Sequence, residues 1–343
     1  MSIKLWQVAA LSVSLASFGG AANAETIELT MSSWVPPTHW IYTEGFLPWT
    51  EQIEEVTEGR VKVNVLPKPI GPPAEHFDFA RKGLVDITYG TYTYQPERFK
   101  IFEFLEFPLG NADAALTSVA AWDAFQRHLS GDETHADVQL LSLFMMGTGA
   151  VHHSEKVMGS AEDFAGQKFR MGGPVQKGII DGLGATPVAA SVTKSYELLS
   201  SKVIDGSLNP YSDVVGFRID EQLPYHTEIP GGFYDASIFL VVNKASFERI
   251  SPEDQSAIMK ISGAELAHRM GTEFTARNER ARDLMIEQGA RVELADEALT
   301  SAVRDIRAQL VADWLSYAKD RGYDHAEDIL SEYWAAIGAE PLE

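Results

Sequence analysis

The chain contains no cysteine in 343 residues. That excludes a disulfide framework and thiolate metal sites, so stability must come from packing. Cations are scarce: 28 Lys and Arg stand against 49 Asp and Glu, for a formal charge of −21. Such a surface repels nucleic acid and anionic membranes, so neither is an expected partner. An anionic ligand would need a locally positive pocket. There is no Gly-x-Ser-x-Gly, no phosphate-binding loop and no His-Glu-x-x-His. Gly147-Thr148-Gly149 lacks the third glycine and the helix of a dinucleotide loop. His152 and His153 are adjacent, and on a strand they point to opposite faces, so they cannot share one ion. No cofactor and no metal site is expected, and the acidic runs read as solvated faces.

Long apolar runs are also missing after the N-terminus. Residues 1–24 read as a signal peptide, with Lys4, an apolar stretch Leu5–Phe18 and a small-residue site at Ala22-Asn23-Ala24. The apolar stretch is short for a bilayer span. Cleavage after Ala24 leaves 319 residues (343 minus 24), and loss of Lys4 moves the charge from −21 to −22. No cysteine follows, which excludes a lipid anchor. The mature chain is expected outside the cytoplasm, and its length suffices for two domains with real cores.

What is present is a strand–helix–strand rhythm. Ile27–Trp34, Val61–Leu66 and Val85–Tyr89 read as strands, with helices at Phe46–Glu58 and His76–Lys82 between them. The rhythm returns with strands at Phe169–Met171 and Thr186–Ala190, helices at Val175–Leu183 and Lys194–Leu199, and a strand starting at Val203. Ala80–Asp86 echoes Leu199–Asp205: each is a helix end, a turn and a strand start. The pattern predicts α/β architecture with parallel sheets in two similar lobes. Ser251-Pro252-Glu253-Asp254 starts a helix by serine capping, a first-turn proline and acids at the positive end. The spacing predicts one long helix from Pro252 to about Glu287, crossing between the lobes. Asp296–Ile337 also reads as helical, with Trp314, Tyr317, Tyr333 and Trp334 packing.

Arg170 is the candidate with the most chemistry, although its segment taken alone reads more readily as a surface arginine in a loop. It ends a short β run, Gln167-Lys168-Phe169-Arg170-Met171, just before Gly172-Gly173-Pro174. A guanidinium is always charged, and its planar fork matches a carboxylate. Asn209, in Ser207-Leu208-Asn209-Pro210, reads either as a ligand donor or as a turn residue before proline. Trp34 and Trp40 can line a cleft or pack a lobe. Tyr92 and Tyr94 are expected to share one face of an extended segment, opposite Tyr89.

Several segments together resemble the periplasmic solute-binding proteins of TRAP (tripartite ATP-independent periplasmic) transporters, of the DctP type. The residues that carry the resemblance are Phe77–Asp86, Ser160–Arg170, Leu183–Val188, Tyr196–Gly206 and Asn243 followed by Ser251–Gln255. It implies a two-lobed periplasmic binding-protein fold, with a ligand cleft between lobes and a long helix crossing both. Residues 25–147 plus 236–275 would form lobe I, and 148–235 plus 276–343 lobe II with the C-terminal helices. It implies a periplasmic monomer without catalysis, which captures a small organic acid and hands it to the membrane permease subunits. Arg170 matches the arginine that clamps the ligand carboxylate, and Asn209 a position that assists it. Many relatives carry a second arginine on the segment that is here Gly147–Ser154, where this chain has none. A monocarboxylate with an apolar or aromatic body is therefore expected, with Trp34, His39, Trp40, Tyr92, Tyr94, His152, Tyr211, Phe233 and Tyr234 as further ligand contacts. The alternatives are a C4-dicarboxylate or other organic acid, and a secreted hydrolase or lyase with His39 or His152 as base.

Overall fold

The computed structural model describes residues 26–341. The expected signal peptide lies outside these residues. No helix among them is long and apolar enough to cross a membrane.

Two sheets organise the chain. The first has strand order β2-β1-β3-β10-β4 and the second β11-β9-β5-β8-β6-β7. In the first, β1 (Ile27–Ser32) runs parallel to β2 (Val61–Val65) and β3 (Ile87–Thr91). β10 (Ser237–Asn243) returns antiparallel between β3 and β4 (Val138–Met145). In the second, β6 (Lys168–Met171) lies parallel to β7 (Thr186–Ala189) and β8 (Gly206–Asn209). There β5 (Ala150–His153) runs antiparallel to β8 and β9 (Tyr225–Glu228), and β11 (Arg291–Leu294) closes the edge on β9. The predicted two-lobed α/β architecture is present. The chain crosses between sheets after β4 and before β10, and the two crossing segments pair through Gly149 N–H to the Tyr234 carbonyl at 2.8 Å.

The sequence echo is a structural repeat. Gly83 and Lys202 both turn through positive φ, at 66° and 55°. In each copy the next residue's amide bonds back over the helix end, Leu84 to Phe79 and Val203 to Leu198, both at 2.9 Å. This closure caps the free carbonyls of the helix. Each copy ends in an aspartate that accepts a backbone amide from the neighbouring strand, Asp86 from Thr30 at 2.7 Å and Asp205 from Lys168 at 2.8 Å.

Two expectations need correction. The long helix is two: Pro252–Ile261 and Gly263–Glu287. Ser262 and Gly263 break it, with Gly263 at φ 50°. The Ser262 hydroxyl accepts from Trp49 Nε1 at 3.0 Å, and the Gly263 carbonyl accepts from Ser142 at 2.9 Å. A side chain at 263 would be strained by its φ and would press on the Trp122 ring at 3.0 Å. The second helix still crosses both lobes: Met270 and Phe274 join the larger apolar core, Ala281 and Met285 a smaller one with Tyr211 and Val214. The other correction concerns the C-terminal helices Glu297–Asp320 and Ala326–Ala336. They do not belong to lobe II alone. Trp314 Nε1 donates to the Ile101 carbonyl at 3.1 Å, and Tyr333 packs edge-on to Phe104 at 5.4 Å. Their aromatic faces bury against the first lobe.

Candidate functional site

β6 delivers Arg170 to the seam between the lobes, where it is only 3% exposed. Its Nε donates to the Ala190 carbonyl at 2.8 Å, which fixes the guanidinium against the end of β7. Its Nη2 reaches Tyr94 Oη of the first lobe at 3.4 Å. Both partners are neutral acceptors. Among the described residues, no carboxylate forms an ion pair with Arg170. Gly172 N–H is held by the Gln176 side chain. At Gly173 the lobes touch: a Cβ there would stand 2.5 Å from Thr93 Cβ of the first lobe. The Gly-Gly-Pro turn is thus shaped by the approach of the opposite lobe. Tyr94 Oη also accepts from Val192 N–H at 3.0 Å, a second contact across the seam.

The remaining walls come from both lobes. Trp34 lies between Tyr89, Tyr94 and Phe217, with its ring parallel to Phe217 at a centroid distance of 6.4 Å. Trp34 Nε1 is buried and has no partner among the described residues. Asn209 is 1% exposed at the end of β8. Its Oδ1 accepts from the Ser207 hydroxyl, and four residues on, Asp213 stands in the first turn of helix Tyr211–Gly216. Burial pushes the Asp213 carboxyl up to about 7, against the pull of the Arg170 charge and the Asn209 amide.

His152 stands behind this floor. It is fully buried, and its Nε2 donates to the Asn209 carbonyl at 2.9 Å. Neutral His152 therefore keeps Nδ1 as an acceptor, so His226 donates across their 2.7 Å contact. Desolvation holds His152 down at about 4, and desolvation together with the His152 charge holds His226 at about 2. The neighbouring His153 turns the other way, to Gln167 at 2.9 Å.

The other expected contacts separate into groups. Tyr94, Trp34, Asn209 and Arg170 converge on the seam. His39 and Trp40 line an adjoining cavity of ≈ 700 Å³ that also includes Phe217, Arg218, Arg277 and Arg280. There Arg277 stacks over the Trp40 ring at 4.6 Å. Tyr92 does not share a face with Tyr94. The segment turns into a 3-10 helix at Tyr92–Tyr94, and Tyr92 stacks on Phe102 at 4.5 Å inside the first lobe. Phe233 is fully buried in the core. Tyr234 sits beneath the site and donates to the Leu208 carbonyl at 3.3 Å. Tyr211 faces away, donating to Glu228 at 2.8 Å beside Arg282. Sequence reasoning passed over Asp213, Thr93, Gln176 and Phe217. Asp213 was the findable one, four residues after Asn209 at a helix start.

A clamp joins the lobes at the crossing helix. Asn278 donates to the Met146 carbonyl at 2.8 Å and accepts from Ser212 N–H at 3.0 Å. It ties the end of the first lobe's central sheet to the helix that carries Asp213.

A buried cation at the seam of two lobes, with no carboxylate ion-paired to it among the described residues, describes a site for capturing an anion. The sequence profile of the bacterial extracellular solute-binding protein family 7 (DctP) matches residues 31–317, and the chain belongs to this family. It is a solute-binding protein of the TRAP type. A TRAP solute-binding protein from Bordetella bronchiseptica, solved with bound (R)- and (S)-mandelate, is 36% identical, with TM-score 0.87 over 91% of this chain and 99% of that one. A marine metagenome TRAP solute-binding protein specific for aromatic acid ligands, solved with 3-hydroxybenzoate, is 28% identical, with TM-score 0.84 over 92% and 98%. The outer membrane transporter protein TsaT of Comamonas testosteroni is 28% identical over 320 residues, 93% of this chain and 94% of that one.

Proposed function

We propose that the protein captures an aromatic monocarboxylate, of the mandelate or hydroxybenzoate class, and delivers it to the membrane subunits of a TRAP transporter without chemical change. The observation that carries this reading is Arg170, buried between the lobes with only neutral acceptors on its guanidinium among the described residues. One carboxylate would complete its charge and fork geometry. Trp34 and Phe217 supply apolar faces for a ring, and the unpartnered Trp34 Nε1 supplies a donor for a ligand oxygen. A second carboxylate finds little support here. His152 is held neutral behind Asn209, and Lys168 is exposed on the surface. Burying an unpaired carboxylate is costly. The solved relatives with mandelate and 3-hydroxybenzoate support the same class.

A thermal-shift screen over carboxylates tests this. Mandelate or 3-hydroxybenzoate at 100-fold its Kd should add about 2.7 kcal/mol to stability. Stabilisation by succinate, malate or fumarate but by no aromatic acid would overturn the reading. Turnover of a stabilising acid would overturn the claim that it leaves unchanged.

A further inference from the structure

The bare backbone just after Arg170 is where the lobes meet. β6 ends at Met171, and Gly172 and Gly173 follow. Gly173 has no room for a side chain, because a Cβ there would stand 2.5 Å from Thr93 Cβ. At Gly172 the surroundings are polar. A Cβ there would lie 3.3 Å from Arg170 Nη2, 3.4 Å from Thr93 Oγ1 and 3.5 Å from Gln176 Oε1. The φ of Gly172 lies outside the left-handed region, so the backbone itself does not demand glycine. Three polar side chains from two lobes converge on one bare Cα.

These groups differ in what they have left to give. Gln176 Oε1 accepts from Gly172 N–H, which ties that side chain to the turn. Arg170 is held through Nε by the Ala190 carbonyl and spends one Nη2 hydrogen on Tyr94. Its remaining hydrogens make no hydrogen bond among the described residues. Thr93 is 8% exposed, and the partner of its hydroxyl among the described residues is Thr91 Oγ1 at 3.4 Å. When Thr91 donates in that pair, the Thr93 hydrogen is free for an acceptor. Thr91 closes β3 and Thr93 sits in the 3-10 turn that follows. The first lobe thus brings a hydroxyl to the point where the second lobe brings a guanidinium.

We propose that Thr93 is the second anchor of the ligand carboxylate, donating from the lobe opposite Arg170, and that Gly172 is bare so that the carboxylate can lie across both groups. The inference rests on the reading of this seam as the acid-binding site. A carboxylate has lone pairs to spare: two meet the arginine fork, and another accepts from the Thr93 hydroxyl. Thr91, donating into Thr93, strengthens that bond by polarising it. Held this way, the carboxylate bridges the lobes, and its contacts favour the arrangement in which Thr93 and Arg170 are close. Thr93 reads the carboxylate, which all acids of the proposed class share, whereas Trp34 and Phe217 read the ring.

Calorimetry of the mature protein with benzoate and with mandelate tests this. Thr93→Val removes the hydroxyl and keeps the packing on Gly173, while Thr93→Ser keeps the hydroxyl. Thr93→Val should weaken both acids by the same factor, about 10–100-fold, the worth of a hydrogen bond to a charged group. Thr93→Ser should stay within about threefold of wild type. Gly172→Ala should melt like the wild type and bind both acids at least about tenfold more weakly. It carries the test if Thr93→Val folds poorly. Wild-type affinity in Thr93→Val or in Gly172→Ala would overturn the inference alone. Equal losses in Thr93→Ser and Thr93→Val would assign the effect to methyl packing and overturn it too. So would a loss for mandelate that spares benzoate, because Thr93 would then read the ligand hydroxyl. Failure of the wild type to bind mandelate, 3-hydroxybenzoate or benzoate would overturn the functional reading and the inference with it.

Discussion

Replacing Arg170 by alanine should remove high-affinity binding while leaving a folded protein. The side chain is 3% exposed and has no carboxylate partner among the described residues, so its unused hydrogen-bonding capacity is available to a ligand. Truncating one member of a buried, hydrogen-bonded charge pair costs about 2–5 kcal/mol. That corresponds to a loss of roughly 30-fold to several thousand-fold in Kd. The cost to folding is smaller because two effects oppose. The Ala190 carbonyl loses its 2.8 Å donor, but a buried charge also disappears. The net shift in unfolding free energy should stay within about 2 kcal/mol. Arg170→Lys should not rescue binding. A lysine carries the charge, but its compact ammonium cannot hold the Ala190 carbonyl and a two-pronged ligand contact together. Calorimetry with mandelate reads the affinity, and a melting curve confirms the fold. An Arg170→Ala protein that binds within threefold of wild type would refute the assignment.

Other outcomes follow from the same geometry. Trp34→Ala should weaken binding of aromatic acids by about 2–4 kcal/mol through the lost ring contact and Nε1 donor, and acetate binding much less, as competition calorimetry would show. Asn278→Ala removes both bonds of the inter-lobe clamp, so the lobe arrangement seen here should lose about 1–3 kcal/mol and mandelate affinity should fall accordingly. Scattering should then show a larger radius at subsaturating mandelate than for the wild type. Above pH 6.5 the stability should decline. Asp235 and Glu106 are raised to about 8, so the folded state holds protons that the unfolded chain has already lost, and stability falls as pH rises towards 8. Asp235→Asn should flatten that slope in melting curves. Below pH 6.5 the buried histidines act the other way. His135 and His152 are lowered to about 4, so the unfolded chain takes up protons first and stability falls as pH drops from 6.5 to 4.

Much of the frame was legible because local signals and tertiary demands agreed. The alternation in Ile27–Trp34 and Val61–Leu66 produced β1 and β2, and the turn at Gly83 and its echo at Lys202 proved to be the same helix-to-strand joint. Arg170 stood out through the resemblance rather than its own segment, which alone reads more readily as a surface arginine; the structure buries it to 3% exposure. Failures came where tertiary contacts override period. The break at Ser262 is set by Trp49, Ser142 and Trp122, residues far away in sequence. Tyr92 left the expected strand face because the chain turns there and the ring finds Phe102. Asp213 carried no motif.

The central claim is that one buried arginine at the lobe seam holds the carboxylate of an aromatic acid. A crystal structure of the complex with mandelate tests it most directly. The expected result is a carboxylate bonded to the Arg170 guanidinium, with the phenyl ring between the Trp34 and Phe217 side. A carboxylate bound instead to Arg277 or Arg280 in the adjoining cavity, with Arg170 untouched, would contradict it.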